Sequence, residues 1–122
     1  MSATQSLIER YLRGWNETDP LRRRALIEET YAEHAAYTDP MVDARGWQAI
    51  EATIASVQAI FPGHTFRLAG KVDAHHDIAR FHWHLVAPGM SEPLVIGFDV
   101  AVLDNGRIRQ VHGFLDKVPM AA

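Results

Sequence analysis

Cysteine is absent from this sequence. Its absence removes disulfides, thiolate metal sites and thiol nucleophiles together, which leaves carboxylates, histidines, hydroxyls and tyrosines for any chemistry. Long apolar runs are missing too: the longest are a few residues, far short of the roughly 20 that span a bilayer. The first residues, MSATQSLIERYLRG, have neither the cationic start nor the apolar core of a secretory signal, so cytoplasmic residence and no membrane association are expected. A surplus of positive charge is also lacking. The formal net charge of −3 offers no electrostatic footprint for nucleic acid. What remains is ordinary: 48% hydrophobic and 22% charged residues argue against disorder, and 122 residues leave room for one domain over 1–122.

The first half of the chain has helical periodicity. Leu7, Ile8, Tyr11, Leu12 and Trp15 recur at three- and four-residue spacing and predict a helix over about 4–16. Asp19-Pro20 supplies an N-cap and a first-turn proline for a second helix, with Leu21, Ala25, Leu26 and Tyr31 expected inward. Arg22, Arg23 and Arg24 read as a solvated face, since no Gly-rich loop accompanies them. A short extended segment follows from His34 through Tyr37, Thr38 and Asp39 to Val42, then a turn at 43–46. Ile50, Ile54, Val57, Ile60 and Phe61 predict a third helix from Trp47 to Ile60, ended by Pro62-Gly63.

Beyond Gly63 the period changes to 2. Strands are predicted over Thr65–Val72, Ile78–Val86, Leu94–Leu103 and Ile108–Val118, separated by turn signals, so that an antiparallel meander carries the helices on one face in an α+β layer. Asp99 is the only ionisable side chain in the run from Leu94 to Leu103. A mid-strand carboxyl either takes a proton or finds a partner: a tyrosine, an indole or an arginine. Alternation puts Gly97, Ala101 and Leu103 on its face, and small residues there favour a cavity. The opposite row of Ile96, Phe98, Val100 and Val102 calls for a cover, and a homodimer through this outer sheet face is expected. Phe81, Trp83 and Leu85 form one row of the preceding strand, with Arg80, His82 and His84 on the other. If the aromatic row faces the helices, Phe81 and Trp83 wall a pocket with Trp15, Tyr37, Phe61, Phe66, Val111 and Leu115; plain core packing is the simpler reading, and a β-bulge would reverse the parity. The seven histidines supply no third close ligand at any spacing, so no metal is expected. Asp116 reads as a solvated residue near a strand end.

Three segments carry a family resemblance: IERYLRGW from Ile8 to Trp15, YTDP from Tyr37 to Pro40, and GFDVAVLDNGRI from Gly97 to Ile108. With the element order, they resemble the nuclear-transport-factor-2-like superfamily, which includes ketosteroid isomerase and the SnoaL-type polyketide cyclases; the last two segments are similar to the SnoaL-type pattern. The resemblance implies a cone-shaped, curved, mainly antiparallel sheet with the three helices on its concave face. Laid on ketosteroid isomerase, it implies a proton shuttle at Asp39, and oxyanion donors at Tyr11 and a protonated Asp99. One departure stands out: where the isomerase supports its tyrosine with a second one, this chain has Ile54.

The expected function is therefore a cofactor-independent isomerase or cyclase acting on a small, largely apolar carbonyl compound. Burial among Tyr37, Pro40, Met41 and Val42 would raise the basicity of Asp39, although an aspartate before proline equally organises a turn. The rival from another class is a ligand-binding or protein-interaction module that keeps the pocket without turnover. A hydrolase or dehydratase on the same scaffold is a third reading, for which no Asp-Arg-Asp set can be placed.

Overall fold

The computed structural model describes residues 2–119. Helix α1 (Ala3–Asn16) starts where the Ser2 hydroxyl accepts from the Gln5 N–H at 3.0 Å, and it buries Leu7, Ile8, Tyr11, Leu12, Gly14 and Trp15. Helix α2 (Pro20–Thr30) is capped by Asp19 with Pro20 in the first turn. Helix α3 (Trp47–Ile60) follows Gly46, whose φ of +86° is open to glycine at little cost. The strands are β1 (Tyr31–Asp39), β2 (Val42–Arg45), β3 (Thr65–His75), β4 (Ile78–Val86), β5 (Pro93–Asp104) and β6 (Arg107–Lys117). They form one mixed sheet in the order β2-β1-β6-β5-β4-β3, in which β1 and β6 run parallel and every other neighbour is antiparallel. The sheet is open, with its inner face against the helices, as the α+β expectation required.

Two features differ from the sequence reading. The extended segment begins at Tyr31, directly after α2, and the expected turn at 43–46 is largely the short strand β2. A register shift between Tyr31 and Ala36 breaks the alternation in β1, so a period of 2 is not visible there. Helix α2 also presents a different face. Leu21 is 84% exposed and Ala25 is exposed, whereas Arg23, Ile27 and Thr30 are buried. Tyr31 is buried as expected, but at the start of β1 rather than on the helix.

Arg23 takes an inward slot because its charge is met there. One terminal nitrogen donates to the Glu17 carbonyl at 3.2 Å and to Gln58 Oε1 at 2.8 Å, and Nε lies 3.8 Å from Glu51. Gln58 in turn donates to the carbonyls of Trp15 and Glu17. This cluster ties the α1–α2 link to α3. Arg22, by contrast, is exposed. In urea unfolding, Arg23→Ala should cost about 2 kcal/mol because it strands buried acceptors, while Arg22→Ala should stay within about 0.5 kcal/mol of the parent. Equal effects would remove Arg23 from that anchoring role.

Candidate active site

The site is built where a side chain of α1 reaches the inner face of β5. Tyr11 lies on the inward stripe of α1, and its hydroxyl donates to Asp99 Oδ2 at 2.8 Å in a fully buried hydrogen bond. Asp99 is 1% exposed and sits in the sheet between Phe81 of β4 and Gly113 of β6. Its second oxygen, Oδ1, has no hydrogen-bond partner among the described residues. Burial pushes the Asp99 carboxyl up to about 6; the neighbouring Trp83 indole and the bonded Tyr11 hydroxyl pull against that, and the nearby charge of Asp39 adds to it. Burial, reinforced by Asp99, holds the phenols of Tyr11, Tyr31 and Tyr37 above their ordinary value, so all three are neutral, and Tyr11 and Tyr37 donate to the two acids.

Asp39 ends β1 and faces the same hollow. Tyr37, two residues earlier on the strand, donates to Asp39 Oδ2 at 2.7 Å. Oδ1 accepts the N–H groups of Met41 at 2.8 Å and Val42 at 3.0 Å. Asp39 thus organises the turn into β2 and lines the pocket as well, so the two readings of the sequence coexist. Gly113 lets the acids converge. A Cβ at that position would lie 3.1 Å from Asp99 Oδ1 and 3.2 Å from Asp39 Cβ, so no side chain stands between them.

Below these groups opens a pocket of about 920 Å³. Trp15, Tyr37, Phe61, Phe66, Trp83 and Leu115 line it together with the two aspartates and Tyr11. Phe81 and Val111, expected as walls, do not reach it. Phe81 is 1% exposed and packs edge-on behind Tyr11, with ring centroids 5.6 Å apart, while Val111 is fully buried between Ala101 and Tyr37 in the sheet. Thr53 and Ser56 of α3 add hydroxyls to the lining, and exposed Met41 and Ile60 form part of its rim. The sequence pointed to neither Thr53 nor Ser56; Met41 was expected to help bury Asp39 but is 83% exposed. Gly113, the other residue it left unmarked, carried a signal: a glycine inside a strand marks a close approach.

No group of three or more potential metal ligands occurs among the described residues. No helix among them is long and apolar enough to cross a membrane.

A SnoaL-like domain model matches residues 8–111. The chain belongs to the SnoaL-like family. One solved relative, a protein from Agrobacterium tumefaciens strain C58 provisionally described as an isomerase of this family, is 40% identical; the match covers 95% of this chain and 99% of that one, with a TM-score of 0.89. At lower identity the fold alone is shared. A protein from Kribbella flavida classed with ketosteroid isomerases matches at 15% identity and TM-score 0.71, over 98% of this chain and 82% of its own. A SnoaL-like polyketide cyclase assignment from Jannaschia sp. CCS1 matches at 17% and 0.69, over 92% and 86%. No curated protein matches. In this SnoaL-like chain the open, curved sheet and three helices are those of the nuclear-transport-factor-2-like fold, as the sequence resemblance implied.

A carboxyl raised from 3.8 to about 6 by folding favours the neutral form in the native state. Its contribution to stability is full below the unfolded value and is lost as pH rises to about 6, for a total of up to about 3 kcal/mol. Thermal unfolding should therefore find Asp99→Asn more stable than the parent at pH 8, with the gap closing toward pH 4. A gap independent of pH would show that Asp99 is not strained by burial.

Proposed function

We propose that the protein is an acid–base enzyme of the isomerase or cyclase kind, working on a small, largely apolar carbonyl compound without a cofactor. One observation carries this reading: a buried carboxyl at the head of an apolar pocket has one oxygen held by a phenol and the other free. A base that titrates near 6 accepts a proton from carbon at neutral pH and returns it readily.

Asp99 is the better proton carrier of the two acids, because its Oδ1 is free whereas Asp39 already accepts three hydrogen bonds. In the proposed step the C–H bond next to the substrate carbonyl breaks. The proton moves to Asp99 Oδ1 and the electron pair enters the enolate. Once neutral, the carboxyl is a poorer acceptor, and the Tyr11 hydroxyl is released to donate to the enolate oxygen. Return of the proton to a different carbon completes an isomerisation; attack of the enolate carbon on a second carbonyl closes a ring, and the new alkoxide takes the proton back from Asp99. The aromatic walls exclude water and fix the apolar body of the substrate. The description of the Agrobacterium relative as an isomerase agrees with this reading.

The test is turnover of a β,γ-unsaturated ketone against pH. With Asp99 as base, kcat/KM rises through about pH 6 to a plateau, and Asp99→Asn loses at least about a hundredfold. Tyr11→Phe loses about tenfold to a hundredfold. A rate that falls through pH 6 and depends on Asp39 instead would assign the shuttle to Asp39, with Asp99 as a protonated donor. Equal rates in all variants, or none in the parent across a panel of such ketones and linear polyketide-like diketones, would favour a binding module.

The outer sheet face supports a homodimer as part of this reading. Phe98 is half-buried, stacks on His82 with ring centroids 4.9 Å apart, and lies 6.4 Å from Phe114, which is 56% exposed. Such an apolar strip on an open sheet is suited to a second copy. Sedimentation at micromolar concentration should give twice the chain mass for the parent and the single-chain mass for Phe114→Glu; a monomeric parent would end the proposal.

A further inference from the structure

The carboxyl of Asp99 meets only one fully formed hydrogen bond, yet a second donor stands beside it. In the ladder between β4 and β5, Trp83 is opposite Gly97, two positions from Asp99 and on the same face. A Cβ placed on Gly97 would fall inside the indole of Trp83, closest to Cζ2 and Cε2, the edge of the ring that carries Nε1. The indole therefore lies over a bare glycine, and its N–H acts on the Asp99 carboxyl two positions along β5. Phe66 packs against the other part of the ring at a centroid distance of 5.2 Å, which limits its swing. Both Trp83 and Asp99 face the pocket.

We infer that the indole N–H of Trp83, seated on Gly97, is the positioning donor for Asp99: it sets how readily that carboxyl ionises and which oxygen is left for a ligand. The geometry explains the small residue at 97, since any side chain there would lift the indole away from the acid. It also accounts for a tryptophan where a phenylalanine would fill the aromatic row equally well, because only the indole brings an N–H. The charge-stabilising effect of that N–H acts in the direction opposite to burial, and it accompanies the Tyr11 hydroxyl. Two neutral donors on one buried carboxylate keep it ionisable; with one removed, the neutral acid is favoured further. As a catalytic statement this rests on the proton-carrier reading of Asp99; as a statement about the acid it does not.

The experiment follows the Asp99 carboxyl carbon by NMR against pH in protein labelled at aspartate, with the unlabelled-position variant Asp99→Asn used to assign the signal. The parent should titrate near 6. Trp83→Phe, which keeps an aromatic ring and loses the N–H, should titrate higher by roughly one pH unit. Gly97→Ala, which keeps the N–H but displaces it, should shift the same way, and Phe98→Leu on the outer face should not. If Trp83→Phe leaves the midpoint within about 0.2 unit of the parent while the near-ultraviolet circular dichroism of the remaining aromatic residues is retained, the inference is wrong. Should Trp83→Phe fail to fold, Gly97→Ala decides alone. Turnover separates the two claims. If Asp99 is the base, the Trp83→Phe variant loses about fivefold in kcat/KM near pH 6 and twofold or less at pH 8, following the NMR midpoint. A moved NMR midpoint with an unmoved rate profile would overturn the catalytic role of Asp99 and leave the tuning by Trp83 intact.

Discussion

A carboxyl placed in the middle of an apolar sheet face is the constraint around which this structure is arranged. In that position an unpaired carboxylate is several kcal/mol worse off than in water, and one hydrogen bond from a neutral phenol repays only part of the difference. Mutual consistency would favour a valine at 99, flanked as it is by Phe81 on the neighbouring strand and by the Tyr11 ring above. That the chain carries an ionisable group there instead, with one oxygen unbonded, is the pattern expected where stability has been given up for chemistry. The same cost argues against a purely structural Asp99, because a structural acid would have both oxygens satisfied, as Asp39 does.

The hollow in front of that carboxyl exists because the sheet withholds side chains where the acids meet. Gly113, opposite Asp99 in the sheet, puts no side chain between the two acids, while the Trp83 indole occupies the space over Gly97 and walls the pocket. Close packing would normally fill such a gap with helix side chains. Here α1 bridges the sheet with Tyr11 and Trp15, and α3 turns Ile50 and Ile54 into the core, so the space between them stays open toward the β1–β2 turn. The helices thus serve as a roof propped at two points. Arg23 holds one of those points by bonding the α1–α2 link to Gln58 on α3.

Much of this was readable from the chain. The change of hydrophobic period after Gly63 gave the order of helices and strands, and alternation put Asp99, Gly97 and Ala101 on the pocket face beside Trp83 because no bulge intervenes between Ile78 and Leu85 in the β4–β5 ladder. The approach of Tyr11, Asp39 and Asp99 followed from resemblance rather than from spacing, as contacts 60 to 90 residues apart leave no local trace. What could not be read were the phases of short or irregular elements. Helix α2 is polar nearly all round, so its buried side is decided by what Glu17 and Gln58 offer to Arg23, which is a tertiary fact. The bulge in β1 hid that strand's length, and Phe81 could not be told from a wall residue because the Tyr11 ring that covers it is set by the rotation of α1.

The two acids at the head of the pocket are of one residue type, and their surroundings assign them different duties. Asp39 accepts two backbone N–H groups and a phenol, all of which stabilise the anion, and it sits at the edge of the turn where solvent is near. Asp99 accepts one phenol, is enclosed by rings, and feels the charge of Asp39 as well, so ionising the first makes ionising the second harder. In the proposed chemistry Asp39 would hold the turn, while Asp99, pushed up to about 6, would exchange the proton. The asymmetry originates in the backbone: the turn after Asp39 presents two free N–H groups, whereas the N–H groups around Asp99 are committed to the sheet ladders on either side.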